Sequence, residues 1–295
     1  MIITLSGATG FIGKPLCAQL REAGHELRIL GRRAEPPDGF PWDAIADPPP
    51  ADAFDDADAV IHLVGEPIAQ RWTTAAWHRI EASRVDSTRR LIKVLASMEQ
   101  RPSVLICASA TGVYGDRGDE ILTETSESGR DQVAKLCLDW ERAAQQAELL
   151  GIRVVMLRTG LVLGSAGGTL GHMLPAFRLG VGGPLGNGRQ WMSWIHLDDL
   201  VRMIAFALDR PDISGPLNGT APEPVSNREF TSALGSQLRR PAILPVPQFA
   251  LNLLFGKMAK ILTASQRVVP AAAMQHGFEF EHPSLKAALA DLLKK

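Results

Sequence analysis

The stretch ITLSGATGFIGKPL, residues 3–16, decides the fold prediction for this chain. It places Gly7, Gly10 and Gly13 in G-x-x-G-x-x-G spacing between an apolar strand and the start of a helix. Glycines let the backbone turn tightly and approach a pyrophosphate, whose charge then lies at the positive end of the helix. A glycine turn that serves only strand-to-helix packing is the alternative. In this context the motif predicts a dinucleotide-binding turn, formed by Gly7, Thr9, Gly10, Phe11, Ile12 and Gly13.

Short apolar runs alternate with longer segments of helical periodicity after this turn. We predict strands at 2–6, 25–30, 58–65, 103–110 and 153–158, and helices near 14–23, 75–99 and 131–150. Such alternation is typical of parallel βαβ units. The chain is therefore predicted to adopt an α/β fold.

Composition limits the classes of partner. The chain has 295 residues, enough for one large domain with a smaller companion, and a formal net charge of -1. We therefore expect a small-molecule ligand and neither nucleic acid nor an acidic membrane surface. The three cysteines lack C-x-x-C spacing, and the seven histidines lack H-x-x-x-H spacing, so neither disulfides nor a metal site is expected. With no export signal and no membrane span, a cytoplasmic protein is expected.

The end of the second strand, LRILGRRAE at residues 27–35, bears on the choice of dinucleotide. Gly31 stands where an acidic side chain would bind the ribose 2′-hydroxyl, and Arg32 and Arg33 follow it. A 2′-phosphate would meet positive charge here. We predict NADP (NADPH) rather than NAD, with ordinary solvated arginines as the alternative.

Residues 160–188 contain ten of the chain's 27 glycines. Binding loops use such a composition freely, and regular elements tolerate it poorly. We predict a functional loop here, followed by a helix to about residue 209 and by a capping box, SNRE at 226–229, that opens another helix.

Six motifs occur in order along the chain: GATGFIG, HLVGEPIAQRW, SRVDSTRRL, SATGVYGD, RTGLVLG and SWIHLDDL. Together they resemble the extended short-chain dehydrogenase/reductases, and more narrowly an atypical epimerase-labelled branch of the NAD-dependent epimerase/dehydratase type. The resemblance implies a Rossmann-type doubly wound parallel sheet over 1–165, completed by about 193–220. It also implies a smaller, mostly helical C-terminal lobe over 166–295, with a family-specific domain of unknown function at about 245–292.

The resemblance also implies cofactor-binding positions. Leu63, Val64 and Gly65 match the segment that runs beside the cofactor, and Val162 matches a segment near the nicotinamide. Two helical arginines are further candidates, Arg84 in place of the family's usual asparagine and Arg79, with a solvated helix face as the alternative for both. Extended family members often dimerise through two long helices, here 75–99 and 131–150, so a homodimer is one expectation and core packing of those helices is the other.

The usual catalytic pair of this family is missing. Aligned on Trp140 and Glu141, the tyrosine position holds Val133 and the lysine position holds Cys137. Tyr114 is the only tyrosine in the chain and matches a strand-end tyrosine that is usually structural or substrate-facing.

Three other residues are therefore candidates for the chemistry: Ser109 for binding the reacting oxygen, Glu66 for ordering substrate or moving a proton, and His196 as a donor. Structural roles for each are the alternative. The leading hypothesis is an atypical NADP-dependent oxidoreductase, epimerase-like, acting on an unidentified small molecule such as a sugar nucleotide. The second hypothesis is a catalytically silent NADP-binding sensor or regulatory protein. Gln190, Trp191 and Ser193, which resemble part of a small-molecule pocket, favour the enzyme.

Overall fold

The computed structural model describes residues 1–165 and 167–294. The strands in chain order are β1 (Ile2–Ser6), β2 (Glu26–Gly31), β3 (Gly39–Pro41), β4 (Ala59–His62), β5 (Val104–Ala110), β6 (Ile121–Leu122), β7 (Arg153–Thr159), β8 (Leu161–Gly164), β9 (Trp191–Met192), β10 (Trp194–His196), β11 (Gly215–Gly219), β12 (Val225–Ser226) and β13 (Arg267–Val268). The α-helices are α1 (Gly13–Glu22), α2 (Thr74–Glu81), α3 (Ser87–Ala96), α4 (Gln132–Gln145), α5 (Gly168–Arg178), α6 (Leu197–Asp209), α7 (Asn227–Leu238), α8 (Gln248–Phe255), α9 (Ala259–Thr263), α10 (Ala271–Gln275) and α11 (Leu285–Leu292).

The main sheet is parallel throughout. Within the described residues, seven strands form it in the order β11-β7-β5-β4-β1-β2-β3. The chain moves outward from β1 to β3 and then, from β4 onward, in the opposite direction. In such sheets ligands bind outside the carboxyl ends of the strands at the point of reversal. The turn after β1 and the segment after β4 meet at this point, and the predicted doubly wound α/β fold is confirmed.

Apolar side chains cover both faces of the sheet. On one face, Leu16 of α1 and Ile204 of α6 pack against Leu5 of β1. On the other face, Leu91 of α3 and Trp140 of α4 belong to a second buried cluster. Strands buried on both faces consist of nearly continuous apolar runs, so the sequence located β1, β5 and β7 to within one residue at each end.

The two long predicted helices are interrupted in the structure. The helix expected over 75–99 forms as α2 and α3 joined by a π-helical turn at Ala82–Asp86. The helix expected over 131–150 forms as α4, with Asp131 as its N-cap, followed by a 3₁₀ turn that ends at Gly151 with φ of 79°. Turns of the π type inside helices are frequent at functional sites.

The expectation of a loop across 160–188 is wrong for 161–164 and 168–178, which form β8 and α5. Leu170, Leu174 and Phe177 recur at helical spacing and are buried, so their packing outweighs the low helix propensity of the glycines around them. Residue 166 of this stretch lies outside the described residues.

The C-terminal region is largely helical. Side chains of α5, α7 and α11 form a separate apolar cluster that includes Leu170, Phe230 and Leu289. The predicted capping box is confirmed, because the Ser226 hydroxyl accepts from the Glu229 amide and the Glu229 carboxylate accepts from the Ser226 amide. Among the described residues, no helix is long and apolar enough to span a bilayer.

Candidate functional site

The glycine turn is packed so closely that it has no room for side chains. Gly7 has φ of 82°, and a Cβ added there would lie 2.9 Å from the carbonyl carbon of Leu63. A Cβ at Gly13 would overlap the Gly7 carbonyl oxygen and approach the Cα of Ala8 to 2.8 Å. None of the described side chains caps the first amides of α1. The Lys14 and Leu16 amides donate to the backbone oxygens of Gly10 and Ile12, so within this first turn the Gly13 amide is the one available to an anion at the positive end of the helix.

Phe11 links this turn to the glycine-rich segment. Its ring lies so near Gly164 and Gly168 that a Cβ at either glycine would approach ring carbons to 2.6 Å. The same added Cβ at Gly168 would lie 2.9 Å from the carbonyl oxygen of Val162. The Phe11 ring and the Val162 backbone, two of the predicted cofactor-binding positions, thus both lie beside Gly168. It also explains the glycines on this part of the chain as space for an aromatic ring.

Arg32 and Arg33 follow β2 and are exposed, and Gly31 accepts a hydrogen bond from the Trp42 amide at 3.1 Å. Neither guanidinium forms an ion pair within the described residues. Both can therefore turn toward a phosphate group at the end of β2.

Arg84 lies in the π turn and points to the segment after β4. A Cβ added at Gly65 would lie 3.1 Å from its guanidinium carbon. Its Nη1 donates to the carbonyl oxygens of Glu66 at 2.9 Å and Ile80 at 3.2 Å, and the guanidinium lies 5.3 Å from the centre of the Trp140 ring. Burial lowers the pKa of Arg84, and nearby Cys137 and Glu66 oppose this. A cation is therefore held at the carboxyl edge of the sheet.

Glu66 is anchored beside this arginine. Its amide donates to the Ser83 hydroxyl at 2.9 Å, and its Oε1 accepts from Gln70 at 3.2 Å and from Arg79 Nε at 3.4 Å. The carboxylate is one quarter exposed and Arg79 nearly half exposed. Arg79 therefore contacts Glu66 directly, which spacing alone did not predict.

The helix face where the family places its tyrosine and lysine is apolar here. A Cβ added at Gly112 would lie 2.8 Å from Val133 and 3.6 Å from the Cys137 sulfur. Burial raises the pKa of Cys137 to about 12, with Glu141 also raising it and Arg84 opposing. This thiol stays protonated at neutral pH. Among the cations, Arg84 on the neighbouring helical segment acts most strongly on the pKa of this thiol.

Ser109 belongs to a buried polar network. Its hydroxyl donates to Glu141 Oε1 at 2.6 Å, and Glu141 receives two bonds of 2.8 Å from Arg158. Arg158 also donates to the Tyr114 hydroxyl at 3.0 Å, and that hydroxyl donates to Asn218 at 2.7 Å. Burial raises the pKa of Tyr114, and Arg158 opposes the rise. Tyr114 is thus hydrogen-bonded and wholly buried, which fits a structural role rather than a substrate-facing one.

The prediction of site residues missed most of this network. Glu141 was used only to align the chain with the family, and Arg158 was named only as part of the motif RTGLVLG. A charged residue inside the apolar run of β7 was the available signal, because a buried charge requires a partner. The sequence did not say which partner.

His196 is held away from these groups. Its Nδ1 accepts from the Asp198 amide at 3.1 Å and caps α6, while its ring stacks on His282 with centroids 3.8 Å apart. Burial lowers the pKa of His196, and His282 lowers it further. His196, Asp198 and His282 place potential metal ligands within 4.8 Å of one another. Because Nδ1 already accepts a hydrogen bond, the neutral ring carries its proton on Nε2, which lies 3.5 Å from Asp291.

A pocket of about 150 Å³ lies between the segment after β4 and the start of α4. Trp72, Trp77, His78, Gln132 and Lys257 line it. The two tryptophan rings meet edge to face with centroids 4.9 Å apart. Aromatic walls beside one cationic side chain suit a small polar molecule.

Comparison with known proteins identifies the family. Residues 3–218 match the NAD dependent epimerase/dehydratase family. The chain belongs to this family. Residues 246–292 match a domain of unknown function.

Members of the family match this chain over nearly its full length. It is 41% identical over 291 residues to an epimerase family protein of Mycobacterium tuberculosis, covering 98% of this chain and 96% of the relative. The structure of human epimerase family protein SDR39U1 (isoform 2) with NADPH aligns with a TM-score of 0.89 and 32% identity over 99% of each chain. The structure of a nucleoside-diphosphate sugar epimerase from Corynebacterium glutamicum aligns with a TM-score of 0.81 and 37% identity, over 99% of this chain and 58% of that one.

Proposed function

We propose that this protein is an NADP-dependent, epimerase-like oxidoreductase that acts on a small molecule. The observation that carries the proposal is the arrangement at the sheet reversal, where the close-packed glycine turn and the uncapped start of α1 face the segment held by Arg84. The NADPH bound to the human relative and the exposed Arg32 and Arg33 support NADP. When bound, this cofactor supplies or accepts a hydride.

Arg84 provides the positive charge that the missing lysine would provide. Its guanidinium reaches the backbone at Gly65 and acts on the pKa of Cys137, the residue at the lysine position. A fixed cation stabilises negative charge as it develops on a substrate oxygen, and partial burial strengthens that effect. An arginine remains charged at every working pH, so Arg84 orients and stabilises but does not move a proton.

Glu66 moves the proton. Arg79 and Gln70 hold its Oε1, while the described residues give its Oε2 no hydrogen-bond donor. During oxidation of a substrate alcohol, the hydroxyl proton passes to Oε2, and during reduction it returns to the substrate oxygen. Ser109 acts by holding Glu141 in place, and His196 by starting α6.

The substrate lies between this edge of the sheet and the pocket walled by Trp72 and Trp77. The aromatic walls hold a ring and exclude water, and Lys257 attracts a negative group. A sugar nucleotide is the substrate class suggested by the name of the Corynebacterium relative.

The test is a fluorescence titration of the protein with NADPH and NADH, followed by NADPH oxidation with a panel of carbonyl compounds and sugar nucleotides. Arg84→Met is expected to weaken NADPH binding or turnover by about tenfold or more, the worth of a charge-assisted hydrogen bond. Arg84→Lys should recover part of the loss. Arg89→Met, which removes an exposed arginine of the next helix turn, is the control.

Failure of the wild-type protein to bind either dinucleotide would overturn the proposal. If Arg84→Met bound NADPH and turned over substrate as well as the wild type, the proposed role of Arg84 would be wrong. Undiminished turnover by Glu66→Gln would remove Glu66.

A second function, an NADP-binding sensor without turnover, is favoured by one observation. Val133 and the protonated thiol of Cys137 leave the usual catalytic helix face without an acid or base. A sensor would bind NADPH and change the exposure of its C-terminal region to protease without oxidising any substrate in the panel. Substrate-dependent oxidation of NADPH would exclude it.

A further inference from the structure

A broad groove separates the loop at 184–189 from α7 and the segment at 240–245. It is open to solvent, has a volume of about 920 Å³, and is lined by three arginines and by smaller polar residues, namely Arg189, Arg228, Arg240, Ser232, Ser236 and Asn187. None of the cofactor-binding or catalytic residues described above lines it. Its volume lies within the range of small-molecule sites.

The sequence of α7 places its polar residues on one face. Arg228, Ser232 and Ser236 follow one another at intervals of four, so they project on the same side of the helix. The capping box fixes the start of α7, and Arg239 ends it with φ of 53°, which turns the chain back toward the groove. Arg240 follows that turn, so it lines the groove just beyond the C-terminal end of α7, whereas Arg228 lies at the N-terminal end of this helix.

The loop is attached to this helix. The Arg228 amide donates to the Gly188 carbonyl oxygen at 2.9 Å, and Arg228 Nη2 donates to the Asn187 carbonyl oxygen at 3.2 Å. Gly188 itself has φ of 69°. Arg228, which lines the groove, is therefore positioned by its own neighbours before any ligand arrives.

Carboxylates are sparse in the sequence around these charges, and the Glu229 carboxylate next to Arg228 is bonded to Ser226. Residues 149–197 and 230–278 contain no aspartate or glutamate, although the whole chain has a net charge of only -1. Within the described residues, Arg189, Arg228 and Arg240 form no ion pairs. Three like charges around one concave surface favour an anion, whose phosphate oxygens match the planar guanidinium.

We propose that this groove binds a small organic molecule carrying two or more phosphate groups, at a site separate from the dinucleotide cleft. The arginines and the serine hydroxyls hold the phosphates. The apolar wall formed by Pro184, Ala242, Ile243 and Pro245 packs against the organic part. The groove therefore favours an organic phosphate over an inorganic one, and it requires no turnover by the protein.

The test is isothermal titration calorimetry with inorganic pyrophosphate and with ADP. Each titration is made in the presence of saturating NADPH, so that the dinucleotide cleft is filled. Both probes are expected to bind, with ADP tighter. The double variant Arg228→Gln with Arg240→Gln should weaken both by about tenfold or more, as expected when charge-assisted bonds are lost. Arg239→Gln, which changes the arginine next to Arg240 but outside the groove, is the matched control.

Absence of binding by the NADPH-saturated wild-type protein would overturn the proposal, as would equal binding by the double variant. If pyrophosphate bound as tightly as ADP, the proposal that the apolar wall packs against the organic part of the ligand would be wrong. NADPH affinity is measured separately, so failure of the proposed enzymatic function is distinguishable from failure of this site.

Discussion

Replacing Glu141 by glutamine should destabilise the protein strongly, although the change removes only a charge. Glu141 is 4% exposed and receives bonds from Ser109 and from two nitrogens of Arg158, which is 9% exposed. Burial lowers the pKa of Arg158, but the hydrogen bonds and charge of Glu141 outweigh this and raise it. An arginine keeps its charge at neutral pH even without that support, so in Glu141→Gln Arg158 stays charged and loses its only buried counter-charge among the described residues.

Breaking a buried ion pair by removing one partner costs about 3 to 5 kcal/mol. For a chain of 295 residues the unfolding entropy is about 0.6 kcal/mol per degree, so Tm should fall by about 5 to 8 °C. Arg158→Met should cost a similar amount, because it leaves Glu141 buried and unpaired. The double variant should lose clearly less than the sum of the two single losses.

Differential scanning calorimetry of the three variants measures these losses. Asp139→Asn is the control on the same helix, because Asp139 makes only a 3.5 Å ion pair with the exposed Arg142. It should shift Tm by no more than about 1 °C, since exposed pairs contribute little. A comparably small shift for Glu141→Gln, or strict additivity in the double variant, would refute the reasoning that Ser109 lies in a structural network.

Three further predictions concern other parts of the molecule. Burial lowers the pKa of His62 to about 4. As pH falls below about 6.5, His62 therefore binds a proton in the unfolded chain before it does so in the folded protein. The free energy of unfolding should drop by about 2 kcal/mol between pH 8 and pH 5. Urea unfolding of wild type and His62→Gln at both pH values checks this, and an equal drop in the variant would contradict it. Gly13→Ala should abolish NADPH binding because the added Cβ would overlap backbone atoms. Gly171→Ala should leave binding intact because nothing lies within 4 Å of its added Cβ. Titration of both variants with NADPH measures the difference. Replacing Arg32 and Arg33 by glutamine should weaken NADPH binding by about tenfold or more and leave NADH nearly unchanged, and an equal loss for both dinucleotides would count against a 2′-phosphate contact.

Much of the fold was predictable because its determinants are local. The glycine turn, the strands around it and the capping box of α7 each depend on residues that are contiguous in the chain. The helix α5 was not predicted, because its glycines have low helix propensity and its stability comes from the packing of Leu170, Leu174 and Phe177.

The candidate site divides in the same way. The glycine turn could be recognised from spacing within one segment, and the absence of the tyrosine and lysine from the resemblance to the family. The partners of Ser109 and Tyr114 could not, because Glu141 is 32 residues from Ser109 and Asn218 is 104 residues from Tyr114.

The amino-acid order therefore specifies which local conformations are available: a turn without side chains, strands buried on both faces, and helices with one apolar side. Only the tertiary structure decides which polar groups become neighbours. Arg84 lies in the π turn and contacts the backbone of the segment after β4, and Arg189, Arg228 and Arg240 line one groove because a loop, a helix and a chain reversal meet. Hydrogen bonds and ion pairs depend on distance in space, and packing of the apolar faces sets that distance.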